Sequence, residues 1–215
     1  MKIGVLGSGM VGKVLAQGFS NHSYEVMIGS RDTKKLEEWK NESGYKGSVG
    51  TFEETAKYAE IIVLSVKGSK AIEAINLSGV DNFKRKIVID TTNPIDDTKP
   101  PENGVINFFT NSEKSLMEQL QAHVPEAKFV KAFNSVGALF MVNPDFGDIR
   151  PTMVICGNDD NARKEVTKIL EKFGWDVEDM GKANASGTIE NLCILWCIPG
   201  FLRNEWSHAF KILKK

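Results

Sequence analysis

The sequence predicts an α/β domain with a doubly wound, mainly parallel sheet and a short C-terminal helical region. Three observations lead there. Short β-branched runs alternate with segments of helical period along most of the chain. The run at 61–66 (IIVLSV) is apolar without interruption, as in a strand covered on both faces. A strand, helix, strand order then requires parallel strands joined by right-handed crossovers.

The elements follow in turn. Residues 2–6 (KIGVL) make a first strand and 7–12 a glycine-rich turn. Across 11–20, Val11, Val14, Leu15 and Phe19 fall on one helical face. Residues 25–28 read as a second strand, 34–40 as a charged helix, Val49 as part of a very short strand and 52–58 as a helix. After the 61–66 strand come a helix at 70–75, a strand at 87–90 (IVID) and a helix at 113–122. The rest repeats the pattern more loosely, with strands at 128–133, 153–156 and 175–178. Between the last two lies an amphipathic helix at 160–173 that turns Ala162, Val166, Ile169 and Leu170 inward. A helical stretch from about 186 to 213 ends the pattern, with Pro199-Gly200 expected to break or kink it. Residues 97–104 form a polar loop inside the fold, not a domain boundary.

Composition narrows the function classes. The chain has 215 residues, 41% hydrophobic and 26% charged, so it is neither disordered nor too small to bury a core. With 27 Lys+Arg against 28 Asp+Glu there is no overall basic field for nucleic acid or an anionic membrane, and any bound anion needs a local site. Three cysteines, Cys156, Cys193 and Cys197, form no C-x-x-C pair, which argues against a disulfide framework or a metal site. No secretory leader is visible, and the apolar stretch at 192–202 is about half a membrane span. The expectation is a soluble, cytoplasmic protein without nucleic-acid or membrane partners.

Gly7-Ser8-Gly9-Met10-Val11-Gly12 is G-x-G-x-x-G placed between a strand and a helix. Gly7 permits the tight turn, Gly9 lets backbone approach a pyrophosphate, and Gly12 allows close helix–strand packing. The helix N-terminus offers N–H groups and positive dipole to phosphate. This is the fingerprint of a dinucleotide-binding Rossmann unit. It assigns 1–180 to nucleotide binding and 181–215 to a helical tail packed on it. Where NAD enzymes place an acid on the ribose 2′-OH, this chain has Gly29-Ser30-Arg31. A hydroxyl and a guanidinium suit a 2′-phosphate, with Ser8 adding a hydroxyl and Lys34 or Lys35 a second charge. The balance favours NADP over NAD. Asp32 is the counter-argument, since shifted by two residues it could serve as the NAD acid; its position before Thr33-Lys34-Lys35 also fits the N-cap of the next helix.

Ligands in open parallel sheets lie beyond the carboxyl ends of the strands. Those positions hold Ser65-Val66-Lys67, Thr91-Thr92-Asn93-Pro94 and Ala132-Phe133-Asn134. Ser65, Asn93 and Asn134 suit ribose and carboxamide, and Val66 and Pro94 suit ring packing. No acid–base pair stands out. His22 and His123 sit at turns, His208 lies on the terminal helix, and Lys131, Asp145 and Glu190 are proton donors without a recognisable partner. The catalytic residues stay unassigned. Carbonyl or imine reduction needs a placed proton, whereas a flavin-like acceptor carries its own ring nitrogens. The reading therefore tilts to a cofactor-to-cofactor reductase.

These residues resemble the NADP oxidoreductase family that uses the deazaflavin coenzyme F420. The resemblance rests on 2–12 (KIGVLGSGMVG), 15–19 (LAQGF), 25–31 (EVMIGSR), Asn93-Pro94 and Lys131-Ala132-Phe133-Asn134. It implies a Rossmann fold, NADPH bound with Ser30 and Arg31 at the 2′-phosphate, and hydride transfer to a deazaflavin or flavin. A similar domain forms the cytosolic part of membrane ferric reductases. The resemblance weakens over the C-terminal third, where Thr188-Ile189-Glu190-Asn191 echoes a Leu-Glu segment of the family. Two alternatives stand beside this reading. One is a reductase of a small imine or 3-hydroxy acid; the other is a non-catalytic NADP(H)-sensing module. With so few residues left after the nucleotide fold, the acceptor site is expected to be open, or closed by the second subunit of a homodimer.

Overall fold

The computed structural model describes residues 1–111 and 114–215. Its strands are β1 (Lys2–Leu6), β2 (Glu25–Gly29), β3 (Ser48–Gly50), β4 (Ile61–Leu64), β5 (Ile87–Asp90), β6 (Lys128–Lys131), β7 (Thr152–Gly157) and β8 (Asp176–Asp179). They form one sheet in the order β3-β2-β1-β4-β5-β6-β7-β8. The α-helices are α1 (Met10–Asn21), α2 (Thr33–Ser43), α3 (Phe52–Tyr58), α4 (Ala71–Leu77), α5 (Leu116–His123), α6 (Asp160–Lys172) and α7 (Ser186–Arg203). The helix expected at 113–122 begins on Glu113, which lies outside the described residues; its helical part starts at Leu116.

Alternation along the strands separates two cores. Ile3 and Val5 of β1, Ile61 and Val63 of β4 and Ile89 of β5 face one side, where Leu15 and Phe19 of α1, Leu36 of α2 and Val166 and Leu170 of α6 cover them. Leu6, Ile62, Leu64 and Val88 face the other, under Ala56 of α3, Ile75 of α4, Leu120 of α5 and Ile189 of α7. α2, α3, α5 and α6 start where the sequence supplies caps: Asp32 accepts from the Lys35 N–H, Asp159 from the Ala162 N–H, and Thr51/Glu54 and Ser115/Glu118 form reciprocal capping boxes.

The sheet is mainly parallel, as expected; among its strands the exception is β6 with β7, which run antiparallel with Lys131 opposite Cys156. No long helix crosses between them. The chain leaves β6, turns along the same edge of the sheet with one 3-10 turn at Ala138–Phe140, and comes back. The tail helix stops at Arg203 rather than 213, and Pro199 sits inside it. Asn204 adopts a left-handed conformation (φ 55°), and the chain folds back until the Thr152 N–H donates to the Phe210 carbonyl. His208 is therefore on this returning segment, not on a helix. Its Nε2 lies 3.0 Å from the Trp196 carbonyl, the Trp196 Nε1–H donates to the His208 carbonyl, and the His208 ring stacks on the Trp196 indole. With the 3-10 turn before it, α7 spans Ala183–Arg203 and is long and apolar enough to cross a membrane. A core helix has the same composition, and here Ile189, Glu190, Cys193 and Trp196 are buried within the domain.

Candidate dinucleotide site

The strand order reverses between β1 and β4, and a cavity of about 620 Å³ opens at that point beyond their carboxyl ends. Gly7, Ser8, Gly9, Met10, Val11, Ser30, Arg31, Lys35, Ser65 and Val66 all line it. An adjoining cavity of about 240 Å³ is lined by Val11, Ser65, Val66, Thr91, Thr92 and Asn93. The two spaces share Val11, Ser65, Val66 and Lys67 in their linings.

The glycine turn is built as a cradle. Gly7 has φ 122°, and a Cβ there would come within 2.5 Å of the Ser65 carbonyl oxygen. A Cβ on Gly12 would come within 1.9 Å of the Gly7 carbonyl oxygen. Neither position admits a side chain. At Gly9 a Cβ would meet nothing within 4 Å, so its side faces open space. No side chain caps the start of α1 and no acid stands in its first turn, which leaves the helix-start N–H groups and dipole directed at whatever enters. The backbone thus fits a dinucleotide pyrophosphate.

At the end of β2, Ser30 Oγ lies 3.0 Å from Ser8 Oγ and accepts from the Asp32 N–H at 3.2 Å. Arg31 is two-thirds exposed, and its Nη1 donates to Glu73 Oε1 at 3.2 Å. Lys35 lines the cavity, whereas Lys34 lines a different surface recess with Glu37 and Glu54. Asp32 serves as the N-cap of α2. Hydroxyls, a guanidinium and an ammonium share one wall with the Asp32 carboxylate, and the first three are groups suited to a phosphate.

At the smaller cavity the Ser65 hydroxyl donates to the Leu6 carbonyl at 3.0 Å and the Thr91 hydroxyl to the Leu64 carbonyl at 3.0 Å. Each ties the end of its strand to the next. Pro94 and Asn134 stand behind the lining. Pro94 is buried, and Asn134 is 4% exposed, donating to Asn93 Oδ1 at 3.2 Å and the Ile189 carbonyl at 2.9 Å. The turn between β6 and Asn134 is made by Phe133, fully buried at φ 64°. A buried aromatic at positive φ is strained, and that kink ends the strand two residues earlier than its apolar run suggests.

Lys131 and Glu190 do have partners. Lys131 is fully buried, with Nζ 2.7 Å from Asp90 Oδ2 and 3.0 Å from Glu190 Oε1, and it donates to the Thr92 carbonyl at 2.8 Å. Burial acts to strip its proton, but the two carboxylates outweigh this and raise its pKa. Glu190 also accepts from the Leu116 and Met117 N–H groups at 3.0 Å each, at the start of α5. The cluster joins β5, β6, α5 and α7 just behind Thr92. Asp145 is exposed and accepts from the Gly147 N–H, and no histidine lines either cavity. The residues that sequence spacing missed are Phe52, then Lys70, Glu73, Ala74 and Leu77, the far wall supplied by α4 and the residue before it, and Asp90 in the buried cluster. Nothing in the spacing of a surface helix marks it as facing a strand end four elements away.

Comparison with known proteins gives the family. The model of the family "NADP oxidoreductase coenzyme F420-dependent" matches residues 2–94. The crystal structure of a candidate F420-dependent NADP-reductase from Arthrobacter sp. FB24 is 31% identical, covers 100% of both chains and superposes with a TM-score of 0.92. An NADP-bound pyrroline carboxylate reductase from Plasmodium falciparum shares the fold at 17% identity and a TM-score of 0.60, over 94% of this chain and 64% of that one. Metalloreductase STEAP3 of Rattus norvegicus is 26% identical over 209 residues, 94% of this chain; the chain spans 39% of that relative's length. A glycine cradle, a serine–arginine wall and full-length likeness converge, and the chain belongs to the NADP oxidoreductase family that depends on coenzyme F420.

Proposed function

We propose that this chain binds NADPH across the two cavities and catalyses hydride transfer to a deazaflavin, flavin or similar planar ring. The observation that carries the reading is the continuity of one lining, from the phosphate cradle through Ser30 and Arg31 to Ser65, Val66 and Asn93. In it the start of α1 holds the pyrophosphate, and Ser8, Ser30, Arg31 and Lys35 hold the 2′-phosphate. Ser65, Thr91 and Asn93 orient the nicotinamide half, with Val66 and Val11 against the ring. NADPH supplies the hydride when bound.

The acceptor class follows from the titratable groups at the smaller cavity. Lys67 and Asp97 line it as an exposed ion pair at 2.8 Å, and Lys131, Asp90 and Glu190 are sealed behind Thr92 in mutual contact. Neither arrangement places a buried proton donor beside a carbonyl or imine. A ring that carries its own nitrogens for the proton suits this site. Mixing the protein with NADPH and a panel of flavins and deazaflavins should bleach the reduced-nicotinamide absorbance with at least one of them. Turnover of imines or 3-hydroxy acids with no ring acceptor active would overturn the acceptor class.

A further inference from the structure

Across the larger cavity from Arg31 stand Glu73 of α4 and Lys70, the residue just before that helix. The Glu73 carboxylate holds both cations, with Oε1 3.2 Å from Arg31 Nη1 and Oε2 3.0 Å from Lys70 Nζ. Arg31 stands at the end of β2 and Glu73 on α4, so their pair spans the two walls. The side chains are 66% and 44% exposed, which makes the contact solvated and exchangeable. The other cations on this lining are also engaged: Lys35 lies 3.8 Å from Asp32, and Lys67 lies 2.8 Å from Asp97. Positive charge is therefore present at the phosphate wall, but each cation already has a carboxylate beside it.

A guanidinium that turns its fork to a 2′-phosphate must give up or share its carboxylate partner. We infer that Glu73 is a specificity-determining residue of this site, competing with the 2′-phosphate for Arg31 and thereby limiting the preference for NADPH over NADH. The inference rests on the NADPH reading above. NADH has no 2′-phosphate, so releasing Arg31 gains it no charged contact. Lys70, and after it Arg31, holds the Glu73 carboxyl below the usual carboxylate range. Because exposed pairs are weak, its removal is worth about two- to five-fold in affinity, less at high salt.

The test is titration of NADPH and of NADH, followed by nicotinamide fluorescence, into wild type, Glu73→Gln, Arg31→Ala, the double variant and Glu165→Gln. The last changes net charge equally on α6, where Glu165 pairs with Lys168. Glu73→Gln should bind NADPH about three-fold more tightly with NADH unchanged. Glu165→Gln should bind both as wild type does, and the gain should vanish in the Arg31→Ala background. An NADPH affinity that is unchanged or weaker in Glu73→Gln overturns the inference, as does an equal gain for both nucleotides or a full gain without Arg31. Wild type that binds neither dinucleotide overturns the functional reading itself, a result distinct from these.

Discussion

Single residues carry two kinds of charge in this protein, and burial separates them. Arg31, Lys35 and Glu73 are solvated and exchangeable, which suits a wall that must accept a ligand. Lys131, Asp90 and Glu190 are fixed, each with its polar atoms committed inside the core. Removing Lys131 would leave two carboxylates facing each other without water, and breaking such a pair costs about 3–5 kcal/mol. Lys131→Met should therefore lower the melting temperature by on the order of 10 °C. Glu190→Gln keeps the amide contacts at the start of α5 and should cost less. Thermal unfolding of the two variants checks the order; equal, small shifts would show that the cluster contributes little. The same burial pushes the Cys156 thiol up to about 12, so it is an inert core side chain.

Elements are fixed by their ends as much as by their faces. α6 begins at Asp159, whose carboxylate accepts from the Ala162 N–H at 2.8 Å and pairs with Lys128 of β6 at 3.0 Å. These contacts, the backbone one first, hold its carboxyl below its ordinary value of 3.8. A lowered folded pKa stabilises fully above the unfolded value and is lost as pH falls through the folded one. Asp159→Asn keeps a capping oxygen but not the charge. Its melting temperature should approach that of wild type as pH is lowered below about 4, with the gap widest near neutrality. A gap independent of pH would remove the charge from the account. Periodicity located most helices, yet not the end of α7. Pro199 removes one N–H and leaves enough of the ladder for the helix to continue to Arg203, where Asn204 takes the left-handed turn.

In the whole molecule the cavity is an arrangement of strand ends, and a ligand there touches β1, β2, β4, β5 and α4 together. Binding should therefore stabilise the domain as one unit. At one hundred times its dissociation constant, NADPH should add about 2.7 kcal/mol, or roughly 5–10 °C for a chain of this size. NADH at the same concentration should add less. Equal shifts for both would contradict the role given to Ser30 and Arg31. The antiparallel β7 shapes the molecule at this scale too. It returns the chain from the cofactor edge to the opposite edge, so Asn158, Asp159 and Lys182 line a recess remote from the glycine turn.

Local chemistry made much of this legible in the sequence. KIGVL followed by G-x-G-x-x-G is legible because the Gly12 position, closed to a Cβ by the Gly7 carbonyl, and the uncapped helix start are set by neighbouring residues, whereas the crowding at Gly7 comes from Ser65 across the sheet. Gly29-Ser30-Arg31 likewise carries its chemistry within three positions. Lys131 and Glu190 were visible only as isolated proton donors; their pairing with Asp90 exists because β5, β6 and α7 meet in space. Glu73 was not visible at all, since its partner Arg31 lies 42 positions away and only the fold of α4 over the strand ends brings them within 3.2 Å. The sequence by itself determined the mainly parallel sheet, the succession of its first six strands along the chain and the glycine turn at 7–12. Tertiary structure decided the reversed seventh strand, the buried ion cluster and the wall facing Arg31, because these depend on contacts whose strength is set by burial and distance rather than by neighbouring residues.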